Sequence, residues 1–431
     1  MTTIKHILAA GCLLAASVAS AETWSLDSCV NYAISHNINV QARLLQEENG
    51  RLGVTEAKDR FLPTIGGYGS QSFSFGRGLT AANTYANRNT SSFSVGANLS
   101  LPVFQGLAGV RRLDYAKASL KALLEQTEAA KDDVTLNVIT QYLQALYAGE
   151  LLQVARERLS ISTAELARRQ TLLEAGKIPE LDIYEARSQV SQDELNLVNC
   201  TNDSIIALLD LAQLLNLPDA DGFAIEPLAD SEMPLLSPEE VWANASERNH
   251  ALRAGRLEAE AADKNVSLAK TGYMPTLSFS AGLGTNYYRT SGFENETFSQ
   301  QMRHNFAKQI GFSLSIPIFD AFSTRNSVRR AHVQAHNTRL QLDDSRQRLY
   351  KAIVQAYTQA TAAHKKRDAA EVAVESSRAA FEAMKVKFDN GRATPTEYEK
   401  TRSDYTTSLA EAVQAKYEAI LRARILLFYN K

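Results

Sequence analysis

The chain repeats itself, and this constrains its fold more than any other feature. RFLPTI at residues 60–65 returns as GYMPTL at 272–277, so Pro63 and Pro275 stand 212 positions apart. SLPVF at 100–104 returns as SIPIF at 315–319, and EAGKIPELD at 174–182 returns as DNGRATPTE at 389–397, both at a spacing of 215. The three extra residues fall in polar loops, where insertions are tolerated. Whatever structure the first half adopts, the second must adopt in the same order. We therefore expect two structural repeats, residues 22–218 and 237–431, joined by an Asp/Pro/Gly-rich connector at 219–236.

Each repeat opens with a helix. In the second, Ser237 as N-cap, Pro238 at the first helical position and Glu240 form a capping-box pattern. A strand follows each Pro-Thr pair, and a polar loop (76–91; 285–308) leads into a returning strand. One face of that strand carries Phe93, Val95, Leu99, Leu101 and Val103, and in the second half Ile310, Phe312, Leu314, Ile316 and Ile318. The opposite face is mostly Ser, Gly, Asn and Pro. One-sided apolar strands usually belong to sandwiches, but two hairpins are too few to build one. A small polar face suits a wet lumen and a bulky face suits lipid. Phe93, Val95, Leu99, Leu101, Ile310, Phe312, Leu314 and Ile316 are accordingly expected to face lipid, with Pro102 and Pro317 marking the corners from strand to helix.

Beyond each corner the helical pattern runs without proline from Gln105 to about Glu174, and again from Asp320 to about Asp389. At about 1.5 Å per residue each would span on the order of 105 Å. Val138, Ala145, Leu152, Leu159, Leu166 and Leu173 fall seven apart, and their counterparts 215 residues on are apolar except Arg367. A second row is small, at Ala148, Ala155 and Ser162 and then at Ala356, Ala363, Ala370 and Ser377. Large residues facing small ones give knobs-into-holes packing at close approach. Each long helix is expected to end at a left-handed glycine, Gly176 or Gly391, and to be followed by a returning helix. A basic residue follows each glycine (Lys177, Arg392), and an acid stands six positions beyond it (Asp182, Glu397). Those acids read either as first-turn carboxylates favoured by the helix dipole or as gate residues.

The N-terminus has a signal-peptide layout over residues 1–21, with Lys5 before an apolar stretch that ends in Ala19-Ser20-Ala21; Cys12 as a lipidated N-terminus is the competing reading. The formal net charge of -2 gives no electrostatic case for nucleic acid. Cys29 and Cys200 are too few for a disulfide scaffold, and one bridge or two free thiols both fit. No mature segment is apolar for about 18 residues, which excludes a spanning helix but not barrel strands. His332 and His336 lie four apart without the intervening metalloprotease Glu, and no third ligand is evident. No catalytic constellation or phosphate-binding loop is present. The reading is a non-enzyme without cofactor or metal.

Hairpin, long helix, Gly-centred tip and returning helix, written twice behind a signal peptide, resemble the TolC family of outer-membrane efflux proteins. The corners LPVFQGLAG and IPIFDAFSTRN and the tips EAGKIPELD and DNGRATPTE carry the likeness. The resemblance implies a mainly α fold with a small β part: long antiparallel coiled-coil helices forming an α-barrel, and four strands per chain in a twelve-stranded outer-membrane β-barrel closed by a homotrimer. It implies one barrel-plus-tunnel domain in the outer membrane of a Gram-negative bacterium, with a large periplasmic part. The implied function is the passive exit duct of a tripartite efflux or type I secretion system, fed by an inner-membrane transporter through a periplasmic adaptor. The tips, Gly176, Lys177, Gly391 and Arg392, would meet the adaptor, and Asp182 and Glu397 would gate the tunnel. The rival reading is a periplasmic coiled-coil adaptor or scaffold that never enters the membrane.

Overall fold

The structure, a computed structural model, describes residues 23–79, 83–218, 222–228 and 234–430. The expected signal peptide, with Cys12, and parts of the 219–236 connector lie outside the described residues. In the first half the elements are β1 (Thr23–Trp24), α1 (Leu26–His36), α2 (Ile38–Asp59), β2 (Thr64–Ser74), β3 (Arg77–Leu79), β4 (Tyr85–Asn87), β5 (Thr90–Gln105), α3 (Ala108–Glu174) and α4 (Glu180–Leu215). The chain continues through β6 (Ala224–Ile225), α5 (Pro238–Arg248), α6 (His250–Lys270), β7 (Thr276–Thr290), α7 (Phe298–His304), β8 (Ala307–Ser315), α8 (Ser323–Asp389) and α9 (Pro395–Tyr429). No helix among the described residues is long and apolar enough to cross a membrane.

These elements gather into two compact units, and each unit draws on both halves of the chain. One contains residues 42–130 and 242–352; the other contains residues up to 41, 131–241 and 353–430.

The first of these units holds a four-stranded antiparallel sheet in the order β2-β5-β7-β8. Its register sorts the side chains by chemistry. Ile65 is opposite Leu99, Leu99 opposite Ala281 and Ala281 opposite Ile310; Leu101 is opposite Phe279, which is opposite Phe312. The other face pairs Ser70 with Ser94, Asn98 with Gly282 and Ser280 with Gly311. The period of two along each strand therefore sends apolar residues one way and Ser, Gly and Asn the other. Strands β2 and β8 are open edges.

The first corner differs from the expectation, whereas in the second Pro317 stands beyond the end of sheet pairing as expected. Pro102 lies inside β5 at a bulge, where the register shifts between Pro102 and Phe104, while β8 ends at Ser315, ahead of Ile316, Pro317 and Ile318. The turn into each long helix is made instead by two consecutive left-handed residues, Gly106 (φ 57°) with Leu107 (φ 68°), and 215 positions later Ala321 (φ 52°) with Phe322 (φ 63°). This turn delays the helices to Ala108 and Ser323. A Cβ on Gly106 would lie 2.3 Å from Met274 Cβ, so the first corner needs glycine for space as well as for φ. Ala321 shows that the conformation alone tolerates a side chain, at a cost of about 1–2 kcal/mol.

Helices of the same unit pack through Val266, Ala331 and Ala335. Glu125 on α3 accepts from His250 Nδ1 (2.8 Å) and Arg253 (2.6 Å) of α6, and Asp263 of α6 receives both contacts of Arg339 at 2.8 Å. His332 and His336 are exposed on α8.

The other unit holds the main apolar core. Leu26, Cys29, Ala33 and Val40 pack against Val134, Val138, Tyr142 and Leu146 of α3, and against Leu211 and Leu215 of α4. Fully burying a side chain such as Leu211 contributes roughly 1.5–3 kcal/mol. The two-residue parallel ladder of β1 with β6 sits beside this core, and the Tyr142 hydroxyl lies 3.0 Å from the Trp24 carbonyl and 2.6 Å from that of Glu226. Burial pushes the Tyr142 hydroxyl up to about 12 and the Cys29 thiol up to about 11. Both Cys29 and Cys200 are free thiols. The small row of the heptad is buried at Ala148, Ala155 and Ser162 and, in the second half, at Ala356 and Ala363, whereas Ala370 and Ser377 are only half-buried. The capping box at Ser237 also forms: Glu240 accepts from the Ser237 N–H (3.1 Å), and Ser237 Oγ accepts from the Glu240 N–H (3.3 Å).

Candidate functional site

The two tips are built alike because glycine stands at the same step of each turn. Gly176 has φ 66°; its N–H donates to the Leu173 carbonyl (2.8 Å), and the Lys177 N–H donates to that of Leu172 (2.9 Å). Gly391 has φ 70°, with the same bonds to Phe388 (3.0 Å) and, from Arg392, to Lys387 (2.8 Å). These are Schellman closures, which satisfy the last carbonyls of α3 and α8. Gly176, Lys177, Gly391 and Arg392 are all exposed.

The helices that leave the tips start differently. Thr394 caps α9 in a full capping box with Glu397, followed by Pro395, whereas Pro179 caps α4 without a side-chain bond. Glu397 accepts from the Thr394 N–H and hydroxyl, both at 2.8 Å, and these bonds hold its carboxyl below its ordinary value. These bonds hold the exposed Glu397 carboxylate against the start of α9. Asp182 is half-buried in the first turn of α4, and its carbonyl accepts from Arg169 (3.3 Å).

Behind the tips the structure brings together a charge cluster across four helices. Asp193 of α4, fully buried, receives Arg158 Nε of α3 at 2.6 Å, Gln189 Nε2 at 3.0 Å and Arg402 Nη1 of α9 at 3.4 Å. Glu399 of α9 pairs with Arg402 (2.9 Å) and with Arg169 of α3 (3.4 Å). Arg169 also pairs with Glu165 (2.9 Å), and Arg168 joins Glu165 (3.3 Å) to Asp389 of α8 (2.6 Å). Four arginines meet four carboxylates, so the cluster is neutral. An aromatic layer lies against it: Tyr398 stacks on Phe388 at 4.7 Å, and the Arg168 guanidinium sits 5.0 Å from the Phe388 ring. Burial, and then the neighbouring Glu165, push the Tyr398 hydroxyl up to about 12.

Sequence reasoning missed this cluster. One signal was available: Ala186, Asp193, Cys200 and Ala207 fall seven apart, and Asp193 breaks the small, apolar character of that row. The small row of α3 likewise ends in charge, because the position seven beyond Ser162 is Arg169. A charge at a core heptad position must find a partner or remain unsatisfied.

A sheet with one apolar face, two 67-residue helices and glycine-closed hairpins together define an outer-membrane export channel. The sequence profile described as outer membrane efflux protein matches the chain twice, over residues 29–217 and 241–427. The chain belongs to that family: it is an outer-membrane exit duct of the kind that serves efflux or type I secretion. It is 24% identical over 321 residues to outer membrane protein TolC of Vibrio cholerae, covering 72% of this chain and 69% of that one. It is 28% identical over 332 residues to protein CyaE of Bordetella pertussis, covering 76% of this chain and 68% of the relative. Its fold is similar to that of the CmeC outer membrane channel of Campylobacter jejuni, with a TM-score of 0.79 at 16% identity over 94% of this chain and 85% of the other.

Proposed function

We propose that the duct works passively, as three copies whose sheets close one twelve-stranded barrel. The supporting observation is the sheet itself: four strands, two open edges and one apolar face. An open edge in lipid leaves backbone groups unsatisfied at several kcal/mol each, so the sheet must meet other copies. Val95, Leu99, Leu101, Ile310, Phe312 and Leu314 then face lipid, with Phe93 on the same face beside Phe298 and Ile316 just beyond the end of β8. Val95 and the four residues from the second half are already exposed in the single chain, Ile310 by 78%. Three is the number that the family resemblance implies.

In this reading the tips are the regulated end. Gly176, Lys177, Gly391 and Arg392 meet a periplasmic adaptor that links the duct to an inner-membrane transporter, which supplies the energy. Asp182 and Glu397 recur three times each and place carboxylates at one constriction, where they favour cations. The charge cluster holds α3, α4, α8 and α9 in one arrangement, and opening requires its pairs to be exchanged for water.

Fractionation with conductance tests the proposal. A heat-stable oligomer in the outer membrane that conducts in planar bilayers is expected. A monomer or dimer in the outer membrane, or a trimer that does not conduct without an energy source, would overturn the three-copy passive duct.

A further inference from the structure

The segment between β7 and β8 does not end the sheet as a plain polar loop. It forms α7, capped by Thr297 with Gln300, and this helix lies on the apolar side of the sheet. Thr285 Oγ1 donates to the Met302 carbonyl (2.8 Å), and the Phe298 ring lies 5.2 Å from Tyr287 and 6.1 Å from Phe93. By register, Thr285, Tyr287 and Phe93 share the face of Phe279 and Ala281. The helix is tied down firmly. Gln301, 4% exposed, donates to the carbonyls of Tyr288 (2.9 Å) and Glu296 (3.0 Å) and accepts from the Tyr288 N–H (3.0 Å).

What this fixed helix presents is unusual for a water-facing loop. Phe298 and Phe306 are exposed by 51% and 49%. In the same segment Arg303 is exposed, with a contact to Ser299 Oγ (3.3 Å), and Lys308 is exposed over the Phe306 ring at 5.8 Å. Neither has a carboxylate partner among the described residues; Glu296 of the same segment pairs with His304 instead (3.2 Å). Lys308 stands opposite Leu283, on the same apolar face. Exposed aromatics interleaved with unpaired cations on a continuous apolar face are the composition of an interfacial membrane seat.

We propose that α7 and the start of β8 form a docking seat for the phosphate-bearing headgroup of an outer-leaflet lipid. Arg303 and Lys308 contact the phosphate, while Phe298 and Phe306 insert beside the acyl chains. The seat rests on reading the apolar face as lipid-facing. A lipid phosphate is the occupant that matches both parts at once: the cations need an anion, and the rings beside them need an apolar phase. A soluble anion would leave the rings in water.

The test uses the refolded full-length protein with phosphatidylcholine vesicles containing either diphosphorylated lipid A or the same glycolipid without its phosphates. Retained glycolipid is measured by native mass spectrometry. Each cation near a phosphate-rich surface contributes roughly fivefold in binding, so the double variant Arg303→Ser, Lys308→Ser should lose about 25-fold in retention of the diphosphorylated lipid. It should bind the dephosphorylated lipid as the wild type does. The control Lys365→Ser, Arg378→Ser, at exposed positions of α8, should behave as wild type throughout. Insertion into both vesicles without phosphate preference, or equal loss in the control, would overturn the seat while leaving the membrane reading intact. Failure of the wild type to insert into either vesicle would overturn both.

Discussion

Removing the Asp193 carboxylate is the most informative single perturbation of the tip. Asp193 is fully buried and Arg402 is 3% exposed, whereas the Arg158 side chain retains 30% exposure. In Asp193→Ala, Arg158 can turn to water, but Arg402 is left with Glu399 alone. Stranding a buried partner in this way costs about 3–5 kcal/mol. Arg158→Ala should cost less, about 1.5–3 kcal/mol, because Asp193 keeps Arg402 and Gln189. The double variant Asp193→Leu, Arg402→Leu removes both ends of the pair and should recover much of the loss, since well-packed apolar replacements of buried pairs are often neutral. Thermal unfolding of the purified protein, followed by its helical signal, gives this order. Bilayer conductance of the same variants reports whether the tip has loosened, and Asp193→Ala should conduct more than wild type. A penalty below about 1 kcal/mol for Asp193→Ala, or a double variant no better than the single, would refute the view that this pair couples the helices.

Leu314→Arg should impair insertion into the outer membrane, because a midplane Arg facing lipid costs about 2–4 kcal/mol, while Ser313→Arg on the opposite face should insert readily; equal outer-membrane abundance would count against the register's assignment to lipid. Gly176→Val and Gly391→Val should each abolish export with the oligomer retained, since a β-branched residue resists positive φ and both sites are otherwise open to solvent; an export assay showing full activity in both would remove the tip assignment. For the proposed gate, Asp182→Asn with Glu397→Gln keeps the capping-box bonding pattern while removing charge, so cation selectivity in bilayers should fall at only a small cost in helix stability; unchanged reversal potentials would leave the acids as helix-start residues. Because the bonds from Thr394 depress the Glu397 carboxyl, they favour its charged form: their stabilisation is present above the ordinary Glu value and is lost only as pH falls through the depressed one. Selectivity from Glu397 should therefore persist at pH values where an ordinary Glu is already protonated.

Much of this architecture was legible because it rests on local signals. The tip glycines, the period-two strands and the small heptad row each follow from backbone geometry that one short segment determines. At the first corner Pro102 is strong local punctuation that misplaces the end of the strand, while Leu107, Ala321 and Phe322 give no hint of positive φ. Leu107 and Phe322 hold that conformation because the surrounding chain imposes it, not because their own propensity favours it. The charge cluster was illegible for another reason. Arg158, Asp193, Glu399 and Arg402 are ordinary surface residue types, and only the packing of four helices makes them neighbours.

The duplication itself separates two kinds of information in the chain. What recurs at 215 residues is backbone geometry: the left-handed pair at 106–107 and 321–322, and the Schellman turns at Gly176 and Gly391. What does not recur is the polar coupling. The position 215 before Arg402 is Arg187, which is exposed, and the position 215 beyond Asp193 is Ser408. The capping box at Thr394 has no counterpart at Pro179. A doubled scaffold with symmetric charges could hold each hairpin to itself equally well. Here Asp193 from the first half and Arg402 from the second each complete the other's pairing, so the divergence after duplication converts two similar hairpins into one coupled element. Loosening either hairpin alone then exposes a charge buried by the other, which makes the two respond together.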